Sequence, residues 1–193
     1  MATRLLAIVG SVTPPGRLLV ATRWLLDTAR ASTTDLEIEL INLADKKVAF
    51  ADGRPAEQLG DDTAAIIASV RGADGVIIAS PVYRGSFTGA LKNLLDHLPV
   101  ESLAGKPVGI VAMGATQHHF LGVDWHLRDV LAWFGALVIP TSVYLASADF
   151  VDRQLGESAK QDLKDLADAV INLKGIVRAG GFLGPKPLAS RRS

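Results

Sequence analysis

Five short apolar runs alternate along this chain with segments of helical periodicity, and no other feature limits its possible folds so tightly. Strands are predicted at 4–10, 35–42, 75–80, 107–113 and 137–145, and helices at about 17–31, 58–71, 87–98, 119–135 and 157–177. The first, third and fourth strands ("LLAIVG", "GVIIAS", "PVGIVAMG") are continuously apolar, as strands are when helices cover both faces of a sheet. The second, "DLEIELINL", alternates through Glu37 and Glu39 and belongs at an edge. Strand–helix alternation of this kind closes into an α/β, doubly wound parallel sheet with right-handed crossovers. For five strands the expected order is 2-1-3-4-5, which puts the topological switch point between strands one and three. Ligands bind beyond the carboxyl ends of the strands at such a point, so the loops at 10–17, 80–86 and 114–119 are where a site is expected.

The chain has 193 residues, enough for one well-buried domain, which we expect to span 1–178. Residues 179–193, rich in Gly and Pro and basic at the end, read as a tail. Twenty basic side chains balance twenty acidic ones, which argues against nucleic acid or an anionic membrane as partner. No cysteine is present, so disulfides, thiol nucleophiles and thiolate metal sites are excluded, and redox chemistry needs a borrowed cofactor. Leu5–Val9 is too short for a signal-peptide core and no run is long enough to cross a bilayer; the cytoplasm is the expected compartment.

The first loop, "GSVTPPGRLLVATRW", leaves a buried strand and opens a helix. The free amides and dipole of that helix favour an anion, and Ser11, Thr13 and Arg17 add donors suited to a phosphate. Neither a Lys-Ser/Thr pair nor G-x-G-x-x-G occurs, so a phosphate monoester fits better than a nucleoside triphosphate or a dinucleotide. An ordinary helix start stiffened by Pro14 and Pro15 is the competing reading.

The second loop, "SPVYRGSFTGALK", fixes its backbone with Pro81 and Gly85 and offers an edge for a flat ring, with Tyr83 to border it. Arg84 suits a cofactor phosphate or plain solvent, while Lys92 and Asp96 read as an i,i+4 surface pair. The third loop, "GATQHHF", allows close approach at Gly114 and Ala115 and offers donors from Thr116 on. Adjacent His118 and His119 do not converge on a metal and have no carboxylate partner nearby, so no metal site is expected. His97 and His126 read as helix-surface residues.

Ser11 with Arg17, the run from Ser80 to Asp96, and Gly114-Ala-Thr-Gln-His118 together resemble the NADPH-dependent FMN reductases, which are flavodoxin-like proteins. The resemblance extends from residue 4 to about 175 and is strongest to the branch that supplies reduced flavin to alkanesulfonate and methanesulfonate monooxygenases. It implies that Ser11 and Arg17 hold the FMN phosphate, beside the Thr13 donor read from the loop itself. It also implies that Pro81, Val82, Tyr83, Arg84, Gly85 and Ser86 border the isoalloxazine, with Gly114, Ala115 and Thr116 along its other side. Hydroxyl residues often follow the loop arginine in the family; here Leu18, Leu19 and Val20 stand instead, which implies weaker retention of FMN.

On the predicted 119–135 helix, Phe120, Val123, Leu127, Val130, Leu131 and Phe134 form a stripe for packing on the sheet. Leu121, Trp125 and Ala132 fall on another side, as at a subunit interface; a patch covered by the chain's own tail is the competing reading. The resembled branch forms dimers and tetramers through this region, sometimes with a widened helical turn.

The expected function is therefore an NAD(P)H:FMN oxidoreductase taking NADPH or NADH, with no catalytic side chain of its own because the cofactor carries the chemistry. Two alternatives stand: a quinone, azo or metal-ion reductase with permanently bound FMN, and a non-enzymatic flavodoxin-type electron carrier. The carrier is disfavoured by the zero net charge. A phosphorylated receiver domain is excluded by Ser80 and Gly10-Ser11, where it needs aspartates.

Overall fold

The structure, a computed structural model, describes residues 2–13, 16–152, 154–177 and 183–184, with only the backbone of Leu121. Strands β1 (Thr3–Val9), β2 (Leu36–Asn42), β3 (Gly75–Pro81), β4 (Pro107–Met113) and the short β5 (Leu137–Val138) form a parallel sheet in the order β2-β1-β3-β4-β5, as the alternation predicts. Helices α1 (Arg17–Ser32) and α5 (Glu157–Ile176) cover one face, and α2 (Thr63–Gly72), α3 (Gly89–His97) and α4 (Leu121–Phe134) cover the other. The continuous apolar runs sort between two cores: Ile8, Ile78 and Ile110 pack toward α2–α4, while Ala7, Ile77 and Val111 pack toward α1 and α5.

β2 is an edge, and its Glu37 and Glu39 face outward, meeting Arg4 at 3.3 Å and the Ser69 hydroxyl at 2.7 Å. The other edge departs from expectation. The predicted strand at 137–145 is split into β5 and β6 (Val143–Leu145), both paired to β4. Pro140 lies in the break, where it has no N–H to give the ladder, and its carbonyl is taken by the Arg128 side chain at 2.9 Å. α2 starts at Thr63, not 58: Gly60 turns the chain at φ 67°, and an Asp61 carboxylate oxygen accepts the Thr63 amide at 2.9 Å. A small hairpin of β7 (Phe150–Val151) and β8 (Gln154–Leu155) leads into α5.

In α4, Val123, Leu127, Leu131 and Phe134 are buried as the periodicity requires. Phe120 is not; it lies just before the helix and is half exposed. The helix is regular α throughout 121–134, without a widened turn. Trp125 and Trp133 stand on its outer side, 63% and 62% exposed, and Ala132 is exposed there too. The Leu121 side chain, and all of the predicted tail except residues 183–184, lie outside what is described. His126 is exposed, but His97 is not a free surface residue: its Nε2 lies 2.8 Å from the Ala49 carbonyl. None of the described helices is long and apolar enough to cross a membrane.

Candidate active site

Three loops at the carboxyl ends of β1, β3 and β4 meet where the strand order reverses. Thr88 ties two of them together. Its buried hydroxyl donates to the Gly10 carbonyl at the end of β1 and accepts the Leu91 amide at 3.1 Å, which makes it the N-cap of α3. Its own amide goes to the buried Ser80 hydroxyl at 3.1 Å. A threonine ahead of "GALK" is an ordinary N-cap signal, yet its reach back to β1 is not readable from local sequence.

In the first loop the Ser11 hydroxyl accepts the Thr13 amide at 3.3 Å, and the Thr13 hydroxyl meets the Tyr83 hydroxyl at 3.0 Å. The loop at β1 and the loop at β3 are therefore joined across the switch point by this contact as well as by the Thr88 tie. α1 begins without a side-chain cap and without an acidic residue in its first turn, so its leading amides and dipole are left for an anion. Arg17, half-buried at the first helical position, donates from Nη2 to the Ser147 hydroxyl at 3.0 Å and lies over the Phe150 ring, 5.3 Å from its centroid.

The second loop is a tight hairpin. Tyr83 and Ser86 exchange backbone hydrogen bonds of 2.8 and 3.1 Å, and the two residues between them, Arg84 and Gly85, have φ of 52° and 77°. Two positive φ values are the signature of a type I′ turn, cheap for glycine and costly for arginine. The Val82 amide is tied to the Met113 carbonyl at 2.8 Å, so the hairpin stands on the end of β4. Its tip touches α4: a β carbon on Gly122 would lie 2.9 Å from the Gly85 carbonyl oxygen. Among the described residues, the amides of Arg84, Gly85, Ala115 and Thr116 have no partner within the chain.

The third loop is braced by Tyr144 of β6, whose hydroxyl donates to the Thr116 carbonyl at 2.5 Å. Burial, and then the nearby Asp149 carboxylate, push this phenol above its ordinary pKa, so it stays a donor. Ala115, Thr116, His118 and His119 are exposed. No group of three His, Cys, Asp or Glu placed to hold a metal occurs among the described residues.

All twelve predicted site residues thus lie in these three loops, with Pro81 and Val82 at the end of β3 and Arg17 opening α1. Ser147 and Phe150, which contact Arg17, were not predicted. They follow the split fifth strand, and only their position at the carboxyl edge of the sheet marks them.

The sequence profile of the NADPH-dependent FMN reductases matches residues 3–150. An NAD(P)H-dependent FAD/FMN reductase of Geobacillus thermodenitrificans is 31% identical over 92% of this chain and 97% of its own length. The NADH-dependent FMN reductase SfnF of Pseudomonas fluorescens is 32% identical over 89% of this chain and 92% of its own. The solved apo form of the NADH:FMN oxidoreductase EmoB overlays on all of both chains with a TM-score of 0.79 at 24% identity, a likeness of fold. A match that begins in β1, runs through all three loops and ends at Phe150 makes this chain a member of the NADPH-dependent FMN reductase family.

Proposed function

We propose that this NAD(P)H-dependent FMN reductase delivers reduced FMN to a separate flavin-dependent monooxygenase of the sulfonate-oxidising type. One observation carries the reading of the site: an uncapped helix start free of carboxylates is joined, through the 3.0 Å Thr13–Tyr83 contact, to a hairpin with free amides. That is a place for a phosphate at one end and a flat heteroaromatic ring at the other, and FMN has both.

In this reading Ser11, Thr13, Arg17 and the first amides of α1 hold the phosphate. Pro81, Val82, Tyr83, Arg84, Gly85 and Ser86 border the ring, with Gly114, Ala115 and Thr116 on its other side. The free amides of Arg84, Gly85, Ala115 and Thr116 donate to ring heteroatoms, and Tyr83 covers an edge against water. When bound, FMN supplies a two-electron acceptor for the hydride of NAD(P)H. The chain's own residues then only position and shield. With Leu18, Leu19 and Val20 after Arg17, few side-chain hydroxyls reach the phosphate, and a weakly held flavin suits a protein that passes it on. The resemblance of the loop residues to the sulfonate-assimilation branch supports that recipient.

The exposed Trp125, Trp133 and Ala132 support assembly into a homodimer or homotetramer through α4, with Leu121 of the same helix. A reaction that consumes NAD(P)H belongs in the cytoplasm, where that nucleotide is regenerated. The test is NAD(P)H oxidation under air with FMN titrated into the purified protein. A rate near zero without flavin that saturates as FMN is added is expected. A full rate without added flavin would instead indicate a bound prosthetic group and another acceptor, the azo- or quinone-reductase type. Clear FMN binding with no oxidation would overturn the enzyme reading.

A further inference from the structure

Arg17 is held in an unusual way for a cation beside a phosphate-binding loop. Its two partners are the Ser147 hydroxyl at 3.0 Å and the Phe150 ring at 5.3 Å, both from the segment that follows β6. Among the described residues no carboxylate lies within ion-pair distance of it. A carboxylate would fix the guanidinium equally well but would cancel its charge. A hydroxyl and the face of an aromatic ring fix its direction and leave the charge whole.

The segment is itself anchored. An Asp149 carboxylate oxygen accepts the Ala146 amide at 2.6 Å, closing the turn at 147–149, and the Asp149 carbonyl accepts the Gly156 amide at 2.8 Å behind the β7–β8 hairpin. Asp149, which lies between Ser147 and Phe150 in sequence, thus spends one carboxylate oxygen on the backbone, and among the described residues it forms no ion pair with Arg17. Phe150 is half-buried against Leu155 and the α1–α5 core, so its ring is a fixed platform.

We propose that Ser147 and Phe150 are positioning residues that hold Arg17 at the start of α1 with its charge uncompensated, and so make the site select flavin bearing a phosphate over flavin without one. The inference rests on the reading of Ser11, Thr13 and Arg17 as the phosphate site. It adds the residues that set the selectivity of that site between FMN and riboflavin.

Titrations of FMN and riboflavin by quenching of flavin fluorescence, on the full chain, test it. Arg17→Ala should weaken FMN about 10- to 100-fold and leave riboflavin unchanged. Phe150→Leu and Ser147→Ala should each weaken FMN roughly three- to tenfold, again without touching riboflavin. Phe150→Tyr, which keeps a ring under the guanidinium, should retain the preference. In the Arg17→Ala background, Phe150→Leu should cost nothing further, because its effect passes through Arg17. Melting curves accompany each variant, since equal losses for both flavins would mean general damage to the fold and would overturn the positioning role. If Arg17→Ala shifts the FMN-to-riboflavin ratio and the other two do not, the positioning role is wrong and the phosphate site stands. If Arg17→Ala leaves the ratio unchanged, the phosphate site falls and the inference falls with it.

Discussion

Gly114 and Tyr144 compete for one volume: a β carbon at Gly114 would lie 2.0 Å from the Tyr144 phenolic oxygen. The same oxygen donates to the Thr116 carbonyl, so the third loop is closed around a hydroxyl that only glycine leaves room for. Gly114→Ala should force the phenol out and destabilise the protein by about 1–3 kcal/mol, through overpacking and the lost hydrogen bond. Chemical denaturation reads this directly. Adding Tyr144→Leu should recover part of the stability, because the clash is with the phenol hydroxyl and the ring carbon that bears it; a fully additive double variant would refute the shared-volume account.

Thr88 is the joint between β1 and α3. Thr88→Val keeps its shape but leaves the Leu91 amide and the Gly10 carbonyl without their buried partner. A loss of about 1–3 kcal/mol is expected, the cost of an N-cap and an unsatisfied buried group. Because Gly10 opens the first loop, FMN affinity should fall as well. A stable variant with unaltered affinity would show that the joint does not shape the site.

What could be read in advance follows from the range over which each signal acts. Strand order and the three loops were legible because apolar runs alternate with helical periods and three of them end abruptly, at Gly10, at Pro81 to Tyr83 and at Gly114. The split at Pro140 was visible only as a proline in a run that otherwise looks continuous. Ser147 and Phe150 sit among two- and three-residue elements too short to have a period, and the residue they contact, Arg17, is 130 positions away from Ser147. His97 offered no hint either, since its partner is the Ala49 carbonyl on a loop 48 residues earlier. That contact has a consequence for a neighbour. Asn93 holds the Ala49 carbonyl and the Ala51 amide, and Asp61 holds the Ala49 amide, so Phe50 is displayed 86% exposed from a pinned backbone. Local sequence predicts neither the pinning nor the display.

Asp74 makes stability depend on pH at the acid end. Partial burial raises its pKa, but the Arg4 amide at 3.0 Å and the Lys174 ammonium at 3.1 Å outweigh this and hold the carboxyl below the ordinary value of 3.8. The folded state therefore binds this proton less readily than the unfolded chain. The stabilisation is complete above the unfolded value and is lost as pH falls through the folded one. Asp61 and Asp62 are lowered likewise, mainly by hydrogen bonds from Thr63 and from the Lys47 amide, and add to the same slope. Denaturant midpoints between about pH 5 and about pH 2 should fall steeply for the native protein and less steeply for Asp74→Asn. Equal slopes would mean that Asp74 does not contribute.

Arg84 sits at φ 52°, a conformation that costs a non-glycine residue about 1 kcal/mol. Arg84→Gly should therefore leave stability unchanged or raise it by up to about 1 kcal/mol, relief of turn strain being partly offset by a freer unfolded chain. If the side chain serves a cofactor phosphate, the same variant should raise the KM for NADPH with little change in kcat, the mark of lost uniform binding. A melting temperature that rises together with an unchanged KM would make Arg84 strain without function.

Trp125 and Trp133 lie exposed on the outer side of α4, a helix whose inner side is already filled by Val123, Leu127, Leu131 and Phe134. Two large aromatic rings left to water on one helix are costly unless covered by another subunit. Trp125→Glu introduces a charge that water accepts and an apolar interface does not. The variant should sediment as a smaller species than the native protein while its melting curve stays cooperative. Because Gly122 lies in the first turn of the same helix and packs on the Gly85 carbonyl, loss of assembly should also loosen the hairpin and weaken FMN binding. An unchanged sedimentation profile would rule out α4 as the interface, whatever happens to the flavin.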